Sequence, residues 1–455
     1  MNPFDNTDDN KDQQNPMDEI EKERAKYKTR GTSGLINIGN TCYMNSALQC
    51  LVATDVLIPY FRGTKIGGSA EYKSDLKQGI ARQIVREEMI KKRKACDTST
   101  DPVVIDKKII KERFKESLTY KFRSLLCVMW GVLCKIKPKG FKERLGEASK
   151  EFYGWSQNDS QECLSLVLDT IHEETKTDVV LELQPLPPEV DEFIQYKKEK
   201  LGNSTDYVSY KRDHLRECAI VEALEFWQGY MKNNHSVIED IFAGLFFGTI
   251  QCMTCGNSSF RYEPFKIINL HIPSDIPKDD NRATLDSCLT DYFGEGEKLE
   301  GENQYACDNC KTKTDALKTI QLWSCPYRLI IHLKRFDNVL RKNTQKITFP
   351  INGLDMSKYM SHYIGGESVY DLYAISYHSG SLRGGHYTAY TKSAINGQWY
   401  YYDDEHVLHI EDSELENKLI TAGAYVLLYK RRDPFEFPEQ APNEGDDDDI
   451  DVDDI

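Results

Sequence analysis

The chain has 455 residues, of which 40% are hydrophobic, and it carries a formal net charge of −15 with 13 cysteines. This length allows a large core divided between two or three lobes. The longest apolar run, residues 125–134, is shorter than the roughly 18 residues that a membrane helix needs. We therefore expect no membrane partner.

Residues 1–30 are polar and poor in aromatic side chains. They lack the apolar core of a secretory signal, so we expect a disordered N-terminal segment and a cytoplasmic or nuclear protein. An odd number of cysteines in such a reducing compartment favours free thiols and metal ligands over disulfides.

Residues 34–51, GLINIGNTCYMNSALQCL, place Cys42 at the start of an amphipathic helix. The helix is predicted from the spacing of Met44, Ala47, Leu48 and Leu51, and its start from the turn 39–41. Because the positive end of the helix dipole favours a thiolate, a lowered pKa is expected and Cys42 is a candidate nucleophile. The alternative is a buried and inert cysteine.

Two charged, weakly patterned segments, at about 64–117 and 185–235, are interpreted as insertions or peripheral helices. The first contains the basic run 91–94, which is either a nuclear localisation signal or a solvated helix face. Apolar spacing predicts one helix over 118–129 and another after Asp159, with a buried face formed by Leu164, Val167, Leu168 and Ile171.

From about Phe242 onward, short β-branched and aromatic runs predict strands at 266–272, 327–333, 372–377 and 424–429. Helices followed by strands indicate an α+β enzyme with a cleft between a helical lobe and a sheet lobe.

The tail 432–455 is expected to be disordered. Residues 434–455 contain ten acidic and no basic side chains, which leaves a charge of −5 for the rest of the chain. With so mild a charge we expect no nucleic-acid partner.

A cysteine nucleophile needs a base and a group that orients the base. Among the ten histidines, His386 stands out because two glycines precede it and a strand-like run follows. His378 is its nearest competitor. Asp403, at the end of the strand 399–403, is the candidate orienting group. A two-residue turn at 396–397 would place Asp403 opposite Tyr390, so a direct pairing with His386 requires a longer loop.

Two C-x-x-C pairs form the candidate metal site: Cys252 with Cys255, and Cys307 with Cys310. Four thiolates suit tetrahedral zinc in a structural site. The long separation of the pairs weakens the pattern, and four free core cysteines are the alternative.

The segments around Cys42, His386 (GGHYTAY) and Asp403 (WYYYDDEHV) together resemble the signature boxes of the ubiquitin-specific proteases. The stretches 157–162 (QNDSQE) and 333–336 (LKRF) and the paired C-x-x-C resemble the same family. The likeness covers about 31–431. The chain departs from the family pattern at Asn158 and Cys163 and in the charged insertion after Phe61.

The resemblance implies that Cys42 is the nucleophile, His386 its general base and Asp403 the orienting residue. It also implies that Asn37 donates a side-chain amide to the oxyanion, together with the Cys42 backbone N–H. Asp404 matches a second acidic position that assists. The implied substrate-binding residues are Asp159, Gly384, Gly385 and Tyr387, with the glycines lining a channel for a glycine-ended tail. Asp159 can also cap a helix.

The implied fold is papain-like, with a helical thumb (about 31–239), zinc-bearing β fingers (about 240–325) and a β-rich palm (about 326–431). The implied activity is a thiol-dependent deubiquitinase, with one structural zinc, ubiquitin and ubiquitinated proteins as partners, and a monomeric state. A non-catalytic ubiquitin binder and a protease for a ubiquitin-like modifier remain as alternatives. A zinc-ribbon nucleic-acid binder is disfavoured by the acidic body.

Overall fold

A computed structural model describes residues 31–62, 76–95, 106–131, 135–181, 185–199, 205–273, 283–336, 341–381 and 384–433. The predicted disordered ends, 1–30 and all but the first two residues of 432–455, lie outside these ranges.

Helices dominate the first half of the described chain, as the apolar spacing predicts. In chain order the helices are α1 (Cys42–Val52), α2 (Leu57–Arg62), α3 (Leu76–Lys94), α4 (Lys107–Lys115), α5 (Leu118–Met129), α6 (Lys139–Ala148), α7 (Ser160–Thr175), α8 (Pro188–Glu199), α9 (Thr205–Asp213), α10 (Leu215–Met231), α11 (Val237–Phe242), α12 (Leu285–Phe293) and α13 (Leu415–Leu419). The two charged segments therefore contribute helices: α3 and α4 in the first, and α8 to α10 in the second.

Strands dominate the second half. They are β1 (Gly34–Leu35), β2 (Lys135–Ile136), β3 (Gly244–Cys252), β4 (Ser258–Phe265), β5 (Ile267–His271), β6 (Glu297–Leu299), β7 (Tyr305–Cys307), β8 (Thr312–Thr314), β9 (Ala316–Ser324), β10 (Arg328–Lys334), β11 (Asn352–Asp355), β12 (Val369–Ser381), β13 (Gly384–Lys392), β14 (Trp399–Asp403), β15 (His406–Ile410) and β16 (Ala424–Arg431). All four strands predicted from composition are present, within one or two residues or inside a longer strand.

The largest sheet has the order β15-β14-β13-β12-β16-β10-β5, and β11 pairs with β12. Its pairs are antiparallel except for β10 with β5. A second sheet has the order β4-β3-β9-β6, and β7 and β8 form a separate hairpin. The α10 helix packs on the second sheet, where the Tyr262 hydroxyl donates to the Ala219 carbonyl at 2.7 Å.

Helix α1 is buried along its whole length between α7 and the large sheet. Three serines hold this junction: Ser46 Oγ donates to the Thr388 carbonyl at 2.6 Å and lies 2.8 Å from Ser376 Oγ, which in turn lies 3.0 Å from Ser160 Oγ. The helical half thus meets the sheet half along α1, and the predicted α+β class is confirmed.

The hairpin of β13 and β14 differs from both predicted registers. Ala389 pairs with Tyr402 and Lys392 with Trp399, so the loop covers residues 393–398. Continuing this register places Asp403 opposite Thr388, diagonally across from His386 on the same sheet face. The loop is longer than a two-residue turn, as the contact between His386 and Asp403 was predicted to require. The predicted register is wrong, because a diagonal neighbour is also within reach of a histidine and a carboxylate.

Candidate active site

Cys42 is the first residue of α1, and its side chain is only 4% exposed. Burial raises the pKa of the thiol, and the nearby Asp404 carboxylate raises it further. Backbone N–H groups, above all that of Tyr387, favour the thiolate but do not offset the burial. The predicted lowering of the Cys42 pKa is therefore wrong for this structure, because desolvation outweighs the helix terminus. The Tyr387 contact nevertheless places Cys42 beside β13.

His386 and Asp403 are brought together on neighbouring strands. His386 Nε2 lies 2.6 Å from Asp403 Oδ1, and both side chains are partly exposed. A carboxylate only accepts, so Nε2 carries the hydrogen and Nδ1 is the nitrogen left to act as a base. Among the hydrogen bonds of the described residues, none joins Cys42 to the His386 ring. In catalytic sites of this kind such contacts often tighten only on substrate binding.

Asn37 lies in the turn before α1, where its amide is held at both ends. Its Oδ1 accepts from the backbone N–H groups of Gly39 (3.0 Å) and Thr41 (3.1 Å), and its Nδ2 donates to Asp404 Oδ2 at 2.9 Å. An amide nitrogen has two hydrogens, so one N–H remains after the bond to Asp404.

Asp404 is fixed between two asparagines. Its Oδ1 accepts from Asn45 Nδ2 at 2.7 Å, and its backbone carbonyl accepts from the Leu35 N–H at 3.0 Å. Burial raises the pKa of Asp404, while the two asparagine amides lower it. Asn45 was missed at the sequence level, although an amide on the innermost face of a buried helix is a signal that could have found it.

A cleft of about 510 Å³ opens beside Cys42. Asp159 and Tyr387, two predicted substrate-binding residues, lie in its wall. The other lining residues are Tyr43, Glu151, Gln157, Asn158, Gln161, Glu162, His332, Phe336, His378 and Tyr425. Gly384 and Gly385 are not among the residues that line it.

Asp159 has the helix-capping role that its position permits. Its Oδ1 accepts from the Gln161 N–H at 2.7 Å at the start of α7, and its Oδ2 accepts from the hydroxyls of Tyr387 (3.4 Å) and Tyr425. Burial raises the pKa of this carboxyl, against the lowering effect of the hydrogen bonds.

A second acidic feature of the cleft was missed at the sequence level. Burial, a hydrogen bond that protonated Glu162 donates to Glu151, and the charge of Asp159 raise the pKa of Glu162 to about 7. Three carboxyl groups, Glu151, Asp159 and Glu162, therefore face one cleft, and a cationic ligand would relieve their repulsion.

Two histidines line the cleft in the neutral form. Burial, with nearby cationic groups, lowers the pKa of His332 to about 3 and that of His378 to about 4. His332 Nδ1 lies 2.8 Å from Asn269 Oδ1. The ring of His378 packs against the rings of Tyr387 and Phe336. Because its pKa is so low, His378 is a poor competitor of His386 for the role of general base.

The glycines before His386 have different surroundings. A Cβ on Gly385 would lie 2.0 Å from His378 Nε2, whereas on Gly384 it would meet only Ser381 Oγ, at 3.9 Å. Gly385 is therefore required by the packing of His378 and β13. Its carbonyl accepts from Gln157 Nε2 at 3.2 Å, which joins the two walls of the cleft.

The four predicted metal ligands lie together at the ends of β3, β7 and the turns that follow. Cys252 Sγ is 3.9 Å from Cys310 Sγ, and Cys255 Sγ is 3.7 Å from Cys307 Sγ. All four sulfur atoms lie within 4.8 Å of one another. Zinc–sulfur bonds of about 2.3 Å in a tetrahedron separate the sulfur atoms by about 3.8 Å, so the cluster fits such an ion.

Comparison with known proteins decides the family. The sequence profile of the ubiquitin carboxyl-terminal hydrolases matches residues 33–429. The chain belongs to this family. The predicted resemblance and the predicted class of enzyme, a cysteine-type thiol isopeptidase, are thereby confirmed.

Several ubiquitin carboxyl-terminal hydrolases are similar over most of the chain. A probable member from Acanthamoeba polyphaga mimivirus is 29% identical over 92% of this chain and 95% of its own length. Hydrolase 4 of Eremothecium gossypii is 30% identical over 88% of this chain, and hydrolase 2 of Bos taurus 28% identical over 89%. This chain spans 42% and 56% of those two proteins, about half of each.

Among solved structures, the SAGA deubiquitinating module bound to monoubiquitin is similar with a TM-score of 0.56 and 22% identity, over 90% of this hydrolase and 70% of that chain. This likeness supports the fold. Among the described helices of the hydrolase, none has both the length and the apolar content required to cross a membrane.

Proposed function

We propose that this hydrolase cleaves the peptide or isopeptide bond after the C-terminal glycine of ubiquitin, with Cys42 as nucleophile. The observation that carries the proposal is the arrangement around α1. The Cys42 thiol lies against the Tyr387 backbone on β13, next to a His386–Asp403 pair joined at 2.6 Å.

The geometry supports a defined sequence of proton transfers. Nδ1 of His386 takes the proton of the Cys42 thiol, and the thiolate attacks the carbonyl carbon of the terminal glycine. The resulting oxyanion accepts from the Cys42 backbone N–H and from the second N–H of Asn37. His386 then protonates the departing lysine amine, and water, deprotonated by His386, hydrolyses the thioester.

The raised pKa of Cys42 makes approach of His386 the activating event. An isolated buried thiol stays protonated at neutral pH, whereas a thiol beside an imidazole can transfer its proton as it attacks. Asp403 favours this step, since its charge stabilises the imidazolium that forms.

The acidic cleft suits a basic tail that ends in glycine. Asp159, Glu151 and Glu162 supply negative charge in one wall, and the path leads to Cys42. Gly384 leaves open space at the start of β13, and Tyr387 places its hydroxyl on Asp159. An acidic cleft would also suit a protein that only holds ubiquitin, and it is the Cys42 thiol and the His386–Asp403 pair that favour catalysis.

The matched pair Cys42→Ala and Cys50→Ala tests the proposal. Both cysteines are buried on α1, where Cys42 contacts the Tyr387 backbone on β13 and Cys50 lies eight residues further along the helix. Cys42→Ala should abolish hydrolysis of a ubiquitin C-terminal fluorogenic reporter and preserve ubiquitin affinity, whereas Cys50→Ala should stay active. Activity that survived in Cys42→Ala would contradict the assignment. The same reporter built on a ubiquitin-like modifier should be cleaved more slowly.

We also propose that Cys252, Cys255, Cys307 and Cys310 hold one structural zinc ion. When bound, the ion would join the β3–β4 turn to the β7–β8 hairpin and take no part in bond cleavage. Elemental analysis should find about one zinc per chain, and Cys310→Ser should lower both zinc content and Tm. An unchanged Tm with zinc absent would contradict a structural role.

A monomeric state, a cytoplasmic or nuclear location and the division into thumb, fingers and palm remain predictions.

A further inference from the structure

The first insertion concentrates positive charge. Helices α3 and α4, here called the basic arm, contain twelve Lys and Arg against three Glu. Their net charge is +9, and three aspartates between them reduce that of residues 76–115 to +6, whereas residues 1–433 as a whole carry −5. The overall charge thus conceals a strongly basic element.

Contacts within the arm and with the segment that follows α7 leave much of this charge exposed. Arg113 bonds Glu87 at 2.9 Å and so joins the two helices, while Arg86 reaches Asp178 at 2.5 Å. Lys94 and Lys107 are exposed and make no ion pair within the part of the chain that the structure describes.

Apolar side chains are exposed among these cations. Met89 and Ile90 on α3 and Ile109 on α4 are 49%, 50% and 51% exposed. A surface of lysines interspersed with large apolar side chains suits a segment that combines the opposite charge with apolar residues.

The C-terminal segment 434–455 has this composition. Its ten acidic residues have no basic companion, and Ile450, Val452 and Ile455 alternate with aspartates near its end. Its 22 residues can span at most about 75 Å.

The last described residues before this segment lie beside the helical half of the chain. Lys430 Nζ, near the end of β16, lies 2.8 Å from Asp55 Oδ2. Asp55 lies two residues before α2. The extended length of the segment, at most about 75 Å, is more than twice that of α3, which is about 29 Å.

We propose that residues 434–455 bind in cis to the basic arm. Their carboxylates meet the lysines of α3 and α4, and Ile450 and Val452 contact Met89, Ile90 and Ile109. Each exposed ion pair contributes little, but many together give a contact that depends strongly on salt.

Fluorescence anisotropy with a labelled peptide of residues 434–455 tests the proposal. A chain ending at Asp433 should bind the peptide, and its affinity should fall at least tenfold between 50 and 300 mM NaCl. The full chain should bind the peptide at least fivefold more weakly, because its own tail occupies the arm.

Two variants of the truncated chain with equal charge change separate the arm from the general surface. Lys94→Glu with Lys107→Glu and Lys108→Glu should lose at least tenfold in peptide affinity. The control combines Lys137→Glu with Lys298→Glu and Lys313→Glu, all exposed and outside the arm, and should bind the peptide unchanged. Both should keep the parent Tm.

Equal loss in the two variants, or equal peptide binding by full and truncated chains, would overturn the proposal. Tight binding of a 20-nucleotide RNA to the full chain, unchanged by removal of the tail, would overturn it as well and identify nucleic acid as the occupant.

Discussion

At the residue scale, Asn37 and Asn45 both donate hydrogen bonds to Asp404, which connects the expected oxyanion donor, Asn37, to the second acidic residue. The Asp404 carboxylate accepts from Asn37 at 2.9 Å and from Asn45 at 2.7 Å. A residue distant in the sequence therefore orients the Asn37 amide in the turn before Cys42. The carboxylate that follows Asp403 therefore acts on the Asn37 amide, while Asp403 acts on His386.

We expect Asn37→Ala to lower kcat by about 100-fold, which is typical of losing one oxyanion donor. Asp404→Ala should cause a smaller fall, because it loosens Asn37 without removing it. The double variant should be little worse than Asn37→Ala alone, as measured by reporter hydrolysis in a double-mutant cycle. Strictly additive effects would show that Asp404 acts independently of Asn37.

Glu162, one of the three carboxyl groups in the cleft, gives a pH dependence of binding. With a pKa of about 7, Glu162 loses its charge as pH falls from 8 to 6, while Asp159 and Glu151 face the same cleft and His332 and His378 stay neutral. A less negative cleft attracts a basic tail less.

In the Cys42→Ala background, the Kd for ubiquitin should therefore rise several-fold between pH 8 and pH 6. Glu162→Gln should give a Kd that is nearly flat over this range. Exposed Glu189 on α8 supplies a control, since Glu189→Gln should retain the pH dependence. A parent protein with a flat profile would refute the role of Glu162.

Residue types and local patterns indicated Cys42, His386 and Asp403 as candidates, the family resemblance implied their roles, and the structure brings the last two into contact. The pKa of Cys42 could not be predicted in this way. The sign of the shift depends on the balance between burial and the Asp404 charge, which raise the pKa, and the Tyr387 N–H, which lowers it, and both residues are distant from Cys42 in the sequence.

At the element scale, the β13–β14 hairpin shows what limits prediction. Its strands were evident from aromatic and β-branched residues, but the strongest turn signal, at 396–397, does not form a two-residue turn. The loop 393–398 closes instead through the Ser393 N–H, which donates to the Gln398 carbonyl at 2.9 Å. Several loop lengths satisfy the same face pattern, because a shift of two residues keeps every side chain on its face.

Substitutions of the two glycines at the start of β13 test whether these residues line the substrate channel or are required by the packing of the strand. Gly385→Ala should lower Tm and reporter hydrolysis, because its Cβ would overlap His378 Nε2. Gly384→Ala has space and should keep the parent Tm. If both variants kept the parent Tm and raised KM alike, both glycines would serve the channel, and the packing role of Gly385 would be refuted.

At the scale of the whole molecule, the catalytic groups come from separate halves of the chain. Cys42 and Asn37 belong to the helical half, whereas His386, Asp403 and Asp404 belong to the sheet. The serine contacts of α1 with Ser376 and Thr388 hold these halves together behind the site. Such long-range pairing follows from the family resemblance but not from local periodicity, which describes one element at a time.

The uneven charge also belongs to this scale. A net charge of −5 before the tail suggested an acidic body without a basic face, whereas the described helices show that α3 and α4 alone carry +9. The net charge of a sequence sums over all surfaces, so it does not reveal a basic surface on one part of the fold and an acidic surface on another.

The most direct test of the central claim uses ubiquitin with an electrophilic C-terminus, followed by mass spectrometry of the adduct. We predict one adduct per chain, on Cys42, at a rate that falls at least tenfold in His386→Ala and is unchanged in Cys50→Ala. Labelling at another cysteine, or labelling that persists in Cys42→Ala, would contradict the claim that Cys42 attacks the end of ubiquitin.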